Sequence, residues 1–366
     1  MENISLAPEI YQAFGLDRNR FVAKRFGHGY INRTYLLQSH NGKTRLRESQ
    51  AYILQKINTQ VFTDPDAVAS NYRLAAGFLK QHHPDYLFVA PLRTVDEKEY
   101  CIWNDEYWRL LPYIPHTVAL DAATAPEQAY EAARQFGQLT RYLQGAPLHQ
   151  FQIVIPNFHN LTLRYSQLQE AIRNAREERR EYAEELIEGF LDYSSIAIHF
   201  EEIKTEKSFP DRIVHHDAKM NNVLLDEKTF KGVCVIDLDT LMPGKIISDL
   251  GDMIRTYVSP ASEEERDFSK IEIRTQYFDA LIQGYLDELR DLLTPVEKQS
   301  LFYAGLFMTY MQGIRFLTDF LNEDVYYPIQ YPEHNFYRAK NQFVLLQQLM
   351  ARQDELKAII QKHLHA

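Results

Sequence analysis

The strongest signal in this chain is HHDAKMNN, residues 215–222, followed by VIDLDT, residues 235–240. Three of its side chains carry chemistry: Asp217, Asn222 and Asp237. An acid, an asparagine five positions later and a second acid beyond a predicted hairpin are the arrangement with which phosphoryl-transfer enzymes hold a nucleophile and a metal ion. We therefore expect Asp217 to accept the proton of an attacking hydroxyl, and Asn222 and Asp237 to supply oxygen ligands to Mg²⁺.

Two other interpretations of this stretch are open. A polar turn between strands would fit the HxDxxxxN pattern alone, but the IDLD motif at hairpin distance favours a site. His215 and His216 beside Asp217 could also be the ligand set of a metal hydrolase. No second cluster of His and carboxylate residues with matching spacing accompanies them, so we assign His215 to organising the loop.

Short apolar runs surround this stretch, and they predict strands that carry its loops. The runs are residues 212–214, 223–225 and 232–236. Long helical patterns lie on both sides of them. Two helix starts are marked by a capping threonine and an acid three positions later, in Thr124-Ala-Pro-Glu127 and Thr294-Pro-Val-Glu297.

The N-terminal part of the chain instead predicts a small sheet with one helix. Turn signals such as His40-Asn41-Gly42 separate five runs with strand character: FVAKRF (21–26), TYLLQSH (34–40), YILQKI (52–57), LFVAPL (87–92) and EYWRLLPYI (106–114). A helix is predicted over 64–81, because apolar residues recur there at helical spacing after an Asp and a Pro.

Together these patterns predict an α+β fold with two lobes. A chain of 366 residues exceeds the usual size of a single core. We expect an N-terminal lobe over 1–112, with an antiparallel sheet and one helix, and a larger, mainly helical lobe over 113–366. The segment from Pro112 to Pro115 would be the hinge.

Composition narrows the class of protein. The chain is 45% hydrophobic and 25% charged, with a formal net charge of -10 and no dense stripe of Lys and Arg, so nucleic acid is not an expected partner. Cys101 and Cys234 lie far apart, which indicates neither a disulfide framework nor a zinc site. No basic segment precedes a long apolar run, and no stretch is apolar enough to span a membrane. We expect a cytoplasmic protein with no membrane partner.

The motifs also carry a family resemblance. HHDAKMNN with VIDLDT resembles the catalytic and metal loops of the aminoglycoside phosphotransferase, choline kinase and protein-kinase-like superfamily. More narrowly, the chain resembles the bacterial N-acetylhexosamine 1-kinases, which phosphorylate the anomeric hydroxyl of N-acetylglucosamine or N-acetylgalactosamine. The resemblance spans most of the chain, and its further anchors are GYINRTYLL, ILQKINTQVF, SDLGDMIR, GIRFLTDFL and VYYPIQYPEHN.

This resemblance implies a bilobal protein-kinase-like fold, ATP and Mg²⁺ as cofactors, and an amino sugar as the small-molecule acceptor. The N-terminal lobe would bind the nucleotide, and the C-terminal lobe would carry catalysis and the acceptor. Asp217 takes the role of catalytic base, and Asn222 and Asp237 hold the magnesium. Asp249, in SDLGD, resembles the acid that braces the catalytic loop. Asp239, two positions after Asp237 near the metal loop, is assigned a supporting role.

Contacts to the nucleotide are expected at two places. Gly27 and Gly29 lie between two predicted strands, where backbone N–H groups could approach the phosphates, with Asn32 and Thr34 nearby. Two glycines around one residue also fit an ordinary hairpin turn. At the hinge, main-chain groups of Pro112, Tyr113 and Ile114 would pair with adenine, although an ordinary proline-bounded connection fits the same residues.

One feature departs from the protein-kinase pattern. Gln55 stands where a phosphate-pairing lysine is expected, and Lys56 would face the other way. The helix that should supply the partner glutamate offers Asn71 and Arg73. No Lys–Glu ion pair is therefore expected, and neutralisation of the phosphates would depend more on magnesium and backbone N–H groups.

At the acceptor end, the resemblance implies roles for Arg315 and Tyr326. An Arg fork can bind sugar hydroxyls or an acetamido carbonyl, and a Tyr combines an apolar ring with a hydroxyl. A single Arg on a helix can equally form a surface ion pair. The same machinery could also serve choline, an aminoglycoside or another sugar, and a nucleotide-binding scaffold without catalysis is the alternative outside enzymes. The oligomeric state does not follow from the sequence.

Overall fold

The computed structural model describes residues 3–27, 31–39 and 50–365. The chain forms two compact units. The first comprises Met1–Thr117, Gly145–Pro156 and Ile236–Met242, and the second comprises Val118–Gln144, Asn157–Val235 and Pro243–Ala366. The first unit thus takes in two segments from far along the chain. A division of the chain at residue 112 stays a prediction.

The first unit is built around one sheet. Its elements are β1 (Asn3–Ile4), α1 (Pro8–Ala13), β2 (Phe21–Arg25), β3 (Arg33–Ser39), β4 (Ala51–Lys56), α2 (Pro65–His82), β5 (Cys101–Trp103) and β6 (Glu106–Pro112), and β7 (Thr117–Val118) follows at its boundary. The six strands pair in the order β1-β2-β3-β4-β6-β5, and every pair is antiparallel.

Alternation along these strands gives the sheet one apolar face. Side chains from every second position, among them Ala23, Leu37, Leu54 and Leu110, form a buried cluster with Ile10 of α1. Because successive residues of a strand point to opposite faces, Gln55 and Arg109 face the other side of the sheet. This second face carries the polar network described below.

Most of the strand predictions for this unit are confirmed. FVAKRF, TYLLQSH, YILQKI and EYWRLLPYI form β2, β3, β4 and β6. The prediction of a strand at LFVAPL is wrong: Leu92 alone makes a single bridge, to Leu110, because Pro91 has no N–H to give to a ladder. The sequence reasoning missed β1, α1 and β5, and the His40-Asn41-Gly42 turn lies outside the described residues.

The helix predicted over 64–81 is confirmed as α2. Asp64 is its N-cap, and its carboxylate accepts a hydrogen bond of 3.0 Å from the backbone N–H of Ala67. Pro65 occupies the first helical position, where a missing N–H costs nothing.

The second unit is mainly helical. Its helices are α3 (Pro126–Tyr142), α4 (Leu161–Asn174), α5 (Glu177–Tyr182), α6 (Glu184–Asp192), α7 (Ser195–Thr205), α8 (Ile247–Tyr257), α9 (Thr275–Leu289), α10 (Pro295–Gln299), α11 (Leu301–Leu321), α12 (His334–Ala351) and α13 (Gln353–Leu364). Its strands are β8 (Arg212–Val214), β9 (Val223–Asp226) and β10 (Gly232–Val235), and β11 (Met242–Gly244) begins at the unit's boundary. The three strands predicted around the HHDAKMNN stretch are confirmed, and so is the α+β class.

The two capping boxes have different outcomes. The box at Thr294 is confirmed: Glu297 N–H donates to the Thr294 hydroxyl at 3.2 Å, and the Glu297 carboxylate accepts from Thr294 N–H at 2.8 Å. The box predicted at Thr124 is wrong by one residue. The helix begins after Ala125, which places Pro126 at the favoured first position, and Gln128 replaces Glu127 as the side chain that reaches back.

Helix α11 runs through the middle of this unit, packed against α4, α8 and α12. Gly251 of α8 lets the two helices approach closely, since a Cβ there would overlap the carbonyl oxygen of Ala304. Within the described residues, no helix has the length and apolar character needed to cross a membrane.

Candidate active site

The catalytic-loop candidate begins where β8 ends. The backbone N–H groups of His215 and His216 both donate to the carboxylate of Asp249, at 2.8 and 2.7 Å. Asp249 lies in the first turn of α8 and is 1% exposed. Two consecutive N–H groups on one buried carboxylate fix the direction in which the chain enters the loop.

His216 has an unusual backbone conformation. Its φ is 66°, in the left-handed region that residues other than glycine seldom adopt. Its ring occupies the space above Gly244, where any Cβ would overlap the imidazole. Backbone strain of this kind persists only where surrounding contacts impose it, and here Asp249 and Gly244 do so.

The carboxylate of Asp217 is held from two sides. The Asn222 side chain donates to Asp217 Oδ2 at 2.9 Å and to its backbone carbonyl at 2.8 Å, and Lys219 Nζ lies 2.7 Å from Oδ1. Burial would raise the pKa of Asp217, but the positive charge of Lys219 and the Asn222 hydrogen bond hold it below its usual value. Asp217 is therefore an oriented carboxylate anion, and its side chain remains 24% exposed.

Asn222 ends a short 3₁₀ segment, Met220–Asn222, directly before β9. Because its Nδ2 makes both contacts to Asp217, the amide oxygen points away from them. An amide oxygen is a ligand that Mg²⁺ accepts. The hairpin that follows is antiparallel and pairs Val223 with Val235.

Asp237 and Asp239 lie in the segment that belongs to the first unit. Asp237 has a φ of 57° and precedes the 3₁₀ segment Leu238–Thr240. Asp239 is 2% exposed and accepts hydrogen bonds from Arg109, from the Asn32 amide at 2.7 Å and from the Tyr72 hydroxyl at 3.2 Å. The supporting position expected for Asp239 is thus a buried one with three donors.

Of the four candidate phosphate-binding residues, the structure describes Gly27, Asn32 and Thr34. Gly27 has a φ of 72°, a conformation that favours glycine, whereas Gly29 lies outside the described residues. Asn32 is buried, and its amide oxygen accepts from Asn58 N–H at 2.9 Å. Thr34 accepts a hydrogen bond of 3.2 Å from Gln55.

The candidate hinge follows β6. Pro112 is the last residue of that strand and pairs with Tyr52. The Tyr113 ring packs edge-on against Phe26 at 6.3 Å, and the carbonyl of Ile114 accepts from the Thr117 hydroxyl at 2.8 Å. These contacts give the segment a defined backbone course within the first unit.

Comparison with known proteins identifies the family. The model of the phosphotransferase enzyme family matches residues 22–291. The chain belongs to this family. The fold resembles that of an aminoglycoside phosphotransferase from Alicyclobacillus acidocaldarius subsp. acidocaldarius DSM 446. The two structures have a TM-score of 0.66 and 12% sequence identity, and the match covers 99% of this chain and 98% of that one.

Two further solved structures resemble this phosphotransferase. A spectinomycin phosphotransferase in complex with ADP and spectinomycin has a TM-score of 0.62 and 11% identity, covering 96% of this chain and 99% of that one. A choline kinase from Cryptosporidium parvum Iowa II has a TM-score of 0.54 and 14% identity, covering 96% and 95%. These likenesses confirm the kinase-like α+β fold expected from the sequence.

The two acceptor candidates of this phosphotransferase lie together. Arg315, on α11, places its guanidinium 5.9 Å from the Tyr326 ring and 5.5 Å from the Tyr327 ring. Its Nη1 donates to Gln312 at 3.1 Å, and Gln312 donates to the Tyr327 hydroxyl at 3.3 Å. Asp319 fixes the loop by accepting from the backbone N–H groups of Tyr326 and Tyr327 at 2.8 and 2.9 Å.

Two more basic residues, His159 and Arg164, lie near Arg315 in the second unit of the phosphotransferase. The His159 ring stacks on Phe158 at 4.4 Å and lies 5.4 Å from His216, next to the catalytic base candidate. Burial lowers the pKa of His159 well below its usual value, and the charges of His216, Arg315 and Arg164 add to the effect. His159 is therefore neutral near pH 7.

Two buried polar atoms of these basic residues have no hydrogen-bond partner among the described residues: His159 Nδ1 and Arg164 Nε. The remaining nitrogens of Arg164 donate to the Asn157 carbonyl at 3.2 Å and to Gln167 at 3.0 Å. Burial lowers the pKa of Arg164, and so does the charge of Arg315. Neither arginine forms an ion pair with a residue that the structure describes.

Sequence reasoning missed Lys219, Arg109, Tyr72, His159 and Arg164 at these sites. Lys219 stands two positions after Asp217 in the quoted stretch, and Arg109 is the one charged residue inside the apolar run YWRLLPYI. Both signals could have been read. Tyr72, His159 and Arg164 carry no local signal, because their roles depend on contacts across the fold. Among the described residues, no group of three His, Cys, Asp or Glu side chains is placed to hold a metal, so the HHD run has no such ligand set there.

Proposed function

We propose that this phosphotransferase is an ATP- and Mg²⁺-dependent kinase that phosphorylates the anomeric hydroxyl of an N-acetylhexosamine, giving the sugar 1-phosphate. The observation that carries the proposal is the Asp217 carboxylate, ionised and held between Asn222 and Lys219 in a loop braced by Asp249. Catalysis of phosphoryl transfer depends mainly on positioning and charge, and this loop supplies both.

Asp217 serves as the base. As the sugar oxygen bonds to the γ-phosphorus and the bond to the ADP oxygen breaks, the hydroxyl proton passes to the Asp217 carboxylate. An anomeric hydroxyl is more acidic than an ordinary alcohol, so a carboxylate is a sufficient base for it. Asn222 keeps the carboxylate oriented, and Lys219 keeps it ionised until the proton arrives.

Asn222 and Asp237 are the residues proposed to hold magnesium. Their amide and carboxylate oxygens are the hard ligands that this ion prefers. When bound, the ion neutralises negative charge on the phosphates. The direction of the Asn222 amide oxygen, away from Asp217, supports the assignment. Residues 1–112 would contact the phosphates through Gly27, Gly29, Asn32 and Thr34. The Pro112–Ile114 backbone, at the boundary, would pair with adenine, and residues 113–366 would carry the base and the acceptor.

Charge around Arg315 favours a sugar over a cationic acceptor. Choline and aminoglycosides carry positive charge and call for carboxylates or open aromatic faces. Arg315 and Arg164 instead present cations without ion-pair partners among the described residues, and the Arg315 guanidinium lies 5.9 and 5.5 Å from the Tyr326 and Tyr327 rings, where its charge would repel a second cation. Such a surface suits hydroxyl and carbonyl oxygens, as in an N-acetyl sugar.

The test measures ADP formation from ATP and Mg²⁺ with N-acetylglucosamine, N-acetylgalactosamine, choline and kanamycin. We expect turnover with the two N-acetylhexosamines, with phosphate on C1, and a loss of about 10²–10⁴-fold in kcat for Asp217→Asn. Asp226→Asn is the matched control, because Asp226 lies at the far end of the β9–β10 hairpin and only caps its turn.

Each other outcome has a defined meaning. Turnover with choline or kanamycin alone would overturn the acceptor while keeping the base assignment. Nucleotide binding without turnover on a broad panel of acceptors would favour a scaffold. Full activity in Asp217→Asn would remove the base assignment itself.

A further inference from the structure

A row of polar side chains crosses the sheet of the first unit at the position where a lysine is missing. Thr34 on β3 pairs with Gln55 on β4, and Gln55 pairs with Arg109 on β6. Directly opposed residues share a face of the sheet. Position 55 on β4, where a lysine is missing, therefore lies next to an arginine, Arg109, on the adjacent strand β6.

Hydrogen bonds join this row into one unit. Arg109 Nε and Nη2 both donate to Gln55 Oε1, at 2.9 and 2.7 Å. Gln55 Nε2 then donates to Thr34 Oγ1 at 3.2 Å. The glutamine thus accepts from the arginine and donates to the threonine, which a lysine at position 55 could not do.

The free end of the guanidinium binds Asp239. Nη2 donates to Oδ2 at 2.8 Å, Nη1 contacts Oδ1, and both residues are 2% exposed. Burial opposes the charge of Arg109, but Asp239 more than offsets it, so the pKa of Arg109 is raised. Asn32 and Tyr72 supply two more donors to the same carboxylate.

Two segments proposed to touch the nucleotide and its metal meet in this network. Asp239 is two residues beyond Asp237, whose left-handed backbone needs support. Asn32 is five residues beyond Gly27, and it joins Asp239 to the backbone N–H of Asn58. Any shift of Asp239 would therefore disturb both the Asp237 segment and Asn32, which directly precedes β3.

We propose that Arg109 is a positioning residue for the magnesium nucleotide: through Asp239 it fixes the Asp237 segment, and through Gln55 it ties that segment to β3 and β4. This takes the place of the Lys–Glu ion pair of protein kinases, with Arg109 and Asp239 as the pair and Gln55 as the connector. Arg109 acts through other residues, since its guanidinium is buried and occupied. The inference rests on the proposed use of ATP and Mg²⁺, not on the choice of acceptor.

The alternative is that the Arg109–Asp239 ion pair only stabilises the fold. A similar buried ion pair elsewhere in the chain allows the two explanations to be distinguished. Arg212 is 7% exposed and binds both oxygens of Glu297, at 2.7 and 2.8 Å. Arg212→Met removes a buried, bidentate arginine of the same kind, away from the Asp237 segment in the chain. It should lower stability without a specific effect on nucleotide binding.

The experiment measures the dissociation constant of ADP by titration calorimetry over a range of Mg²⁺ concentrations, at a temperature where every variant is folded. We expect Gln55→Lys to weaken binding of Mg·ADP by about tenfold or more, because it places a second cation against Arg109 and removes its acceptor. Asp239→Asn should raise the Mg²⁺ concentration needed for half-maximal binding by about tenfold, and Tyr72→Phe by about two- to threefold. Arg212→Met should stay within about twofold of wild type.

The opposite results would overturn the inference. If Gln55→Lys tightens nucleotide binding, a lysine at position 55 can still bind the phosphates, and Arg109 and Gln55 do not replace it. Unchanged Mg²⁺ dependence in both Asp239→Asn and Tyr72→Phe would leave Arg109 a structural residue, even if Gln55→Lys does not fold. If wild-type protein binds Mg·ADP but does not phosphorylate N-acetylhexosamines, only the proposed acceptor is wrong. If wild-type protein does not bind Mg·ADP, both the proposed function and the role of Arg109 are wrong.

Discussion

Two arginine-centred regions of this phosphotransferase satisfy their charge in opposite ways. In the first unit, Arg109 is 2% exposed and both oxygens of Asp239 face it. In the second unit, Arg315 and Arg164 lie close enough for the charge of one to lower the pKa of the other, and neither has an ion-pair partner among the described residues. The fold itself supplies an anion for Arg109, whereas it places no carboxylate against Arg315 or Arg164 among the described residues.

We interpret this difference as one between side chains that organise the protein and side chains proposed to bind the acceptor. A buried cation that keeps its charge needs a partner anion, and the fold supplies one for Arg109. Half-buried arginines with an unpartnered nitrogen, such as Arg164 Nε, instead suit a solute that brings its own oxygens.

The largest effect is expected on the stability of the first unit. Arg109→Met should lower the free energy of unfolding by about 3–5 kcal/mol, because it leaves the Asp239 charge buried without its cation. Arg315→Met should cost less than about 1 kcal/mol, since no anion loses a partner. Urea unfolding followed by far-UV circular dichroism reports on the helices of the second unit, and the fluorescence of Trp103 and Trp108 reports on the sheet of the first unit.

Asp239→Asn sharpens the same test. Combined with Arg109→Met it should cost less than the sum of the two single changes, since the double variant no longer buries an unpaired charge. Equal losses for Arg109→Met and Arg315→Met would contradict the distinction between the two regions.

The second effect concerns the acceptor. Arg315→Met should raise the KM for an N-acetylhexosamine by about 10- to 100-fold, and Arg164→Met by about tenfold, because each removes a charged donor from a half-buried surface. The KM for ATP should change little in both. Steady-state kinetics with the two substrates varied separately would show the split.

Arg266→Met is the matched control for these variants. Arg266 also stacks on two tyrosines, Tyr331 at 5.0 Å and Tyr337 at 4.2 Å, but it is exposed, so water satisfies it. Its loss should leave both KM values unchanged. An unchanged acceptor KM in Arg315→Met would place the acceptor elsewhere.

The fold was largely predictable because its signals are local. Alternating apolar residues mark β2, β3, β4 and β6, and the Asp64 cap and Thr294 box mark helix starts within four residues. The strand prediction failed at LFVAPL, where the apolar pattern favours a strand but Pro91 has no backbone N–H to donate to a neighbouring strand. The prediction of helix starts failed where a proline shifts the start by one residue, as at Pro126.

The residues of the candidate site could be located from the sequence only in part, for a physical reason. Asp217, Asn222 and Asp237 stand at fixed spacing in one stretch of chain, so the sequence shows them together. Arg109 becomes visible only through strand order: β6 pairs with β4 while β5 takes the edge, and that order sets Arg109 beside Gln55. Nothing local to residue 109 or 55 fixes that pairing. His159 and Arg164 likewise come near Arg315 only through the fold, because Arg315 lies on α11, far along the chain.

Asp249 is an intermediate case: a buried carboxylate whose bonded partners are N–H groups instead of a cation. Burial raises the pKa of Asp249 to about 6, even though His215 and the two backbone hydrogen bonds lower it. Because the pKa of Asp249 in the folded protein lies above the usual value of 3.8 for an Asp side chain, folding takes up a proton at pH values between 3.8 and about 6. The stabilising contribution is present at low pH and is lost as the pH rises through 6.

The smallest expected effect follows from this shift. Between pH 7 and pH 5, Asp249 should add about 1 kcal/mol to the free energy of unfolding, and this increment should be missing in Asp249→Asn. The variant also loses stability at every pH, because one N–H of the loop faces an amide nitrogen instead of an oxygen. Unfolding measured at both pH values separates the two effects: the constant loss reports the hydrogen bonds, and the difference in pH slope reports the buried charge. Identical slopes for wild type and Asp249→Asn would mean that Asp249 is ionised throughout, and that the two N–H groups compensate a buried anion as fully as Arg109 compensates Asp239.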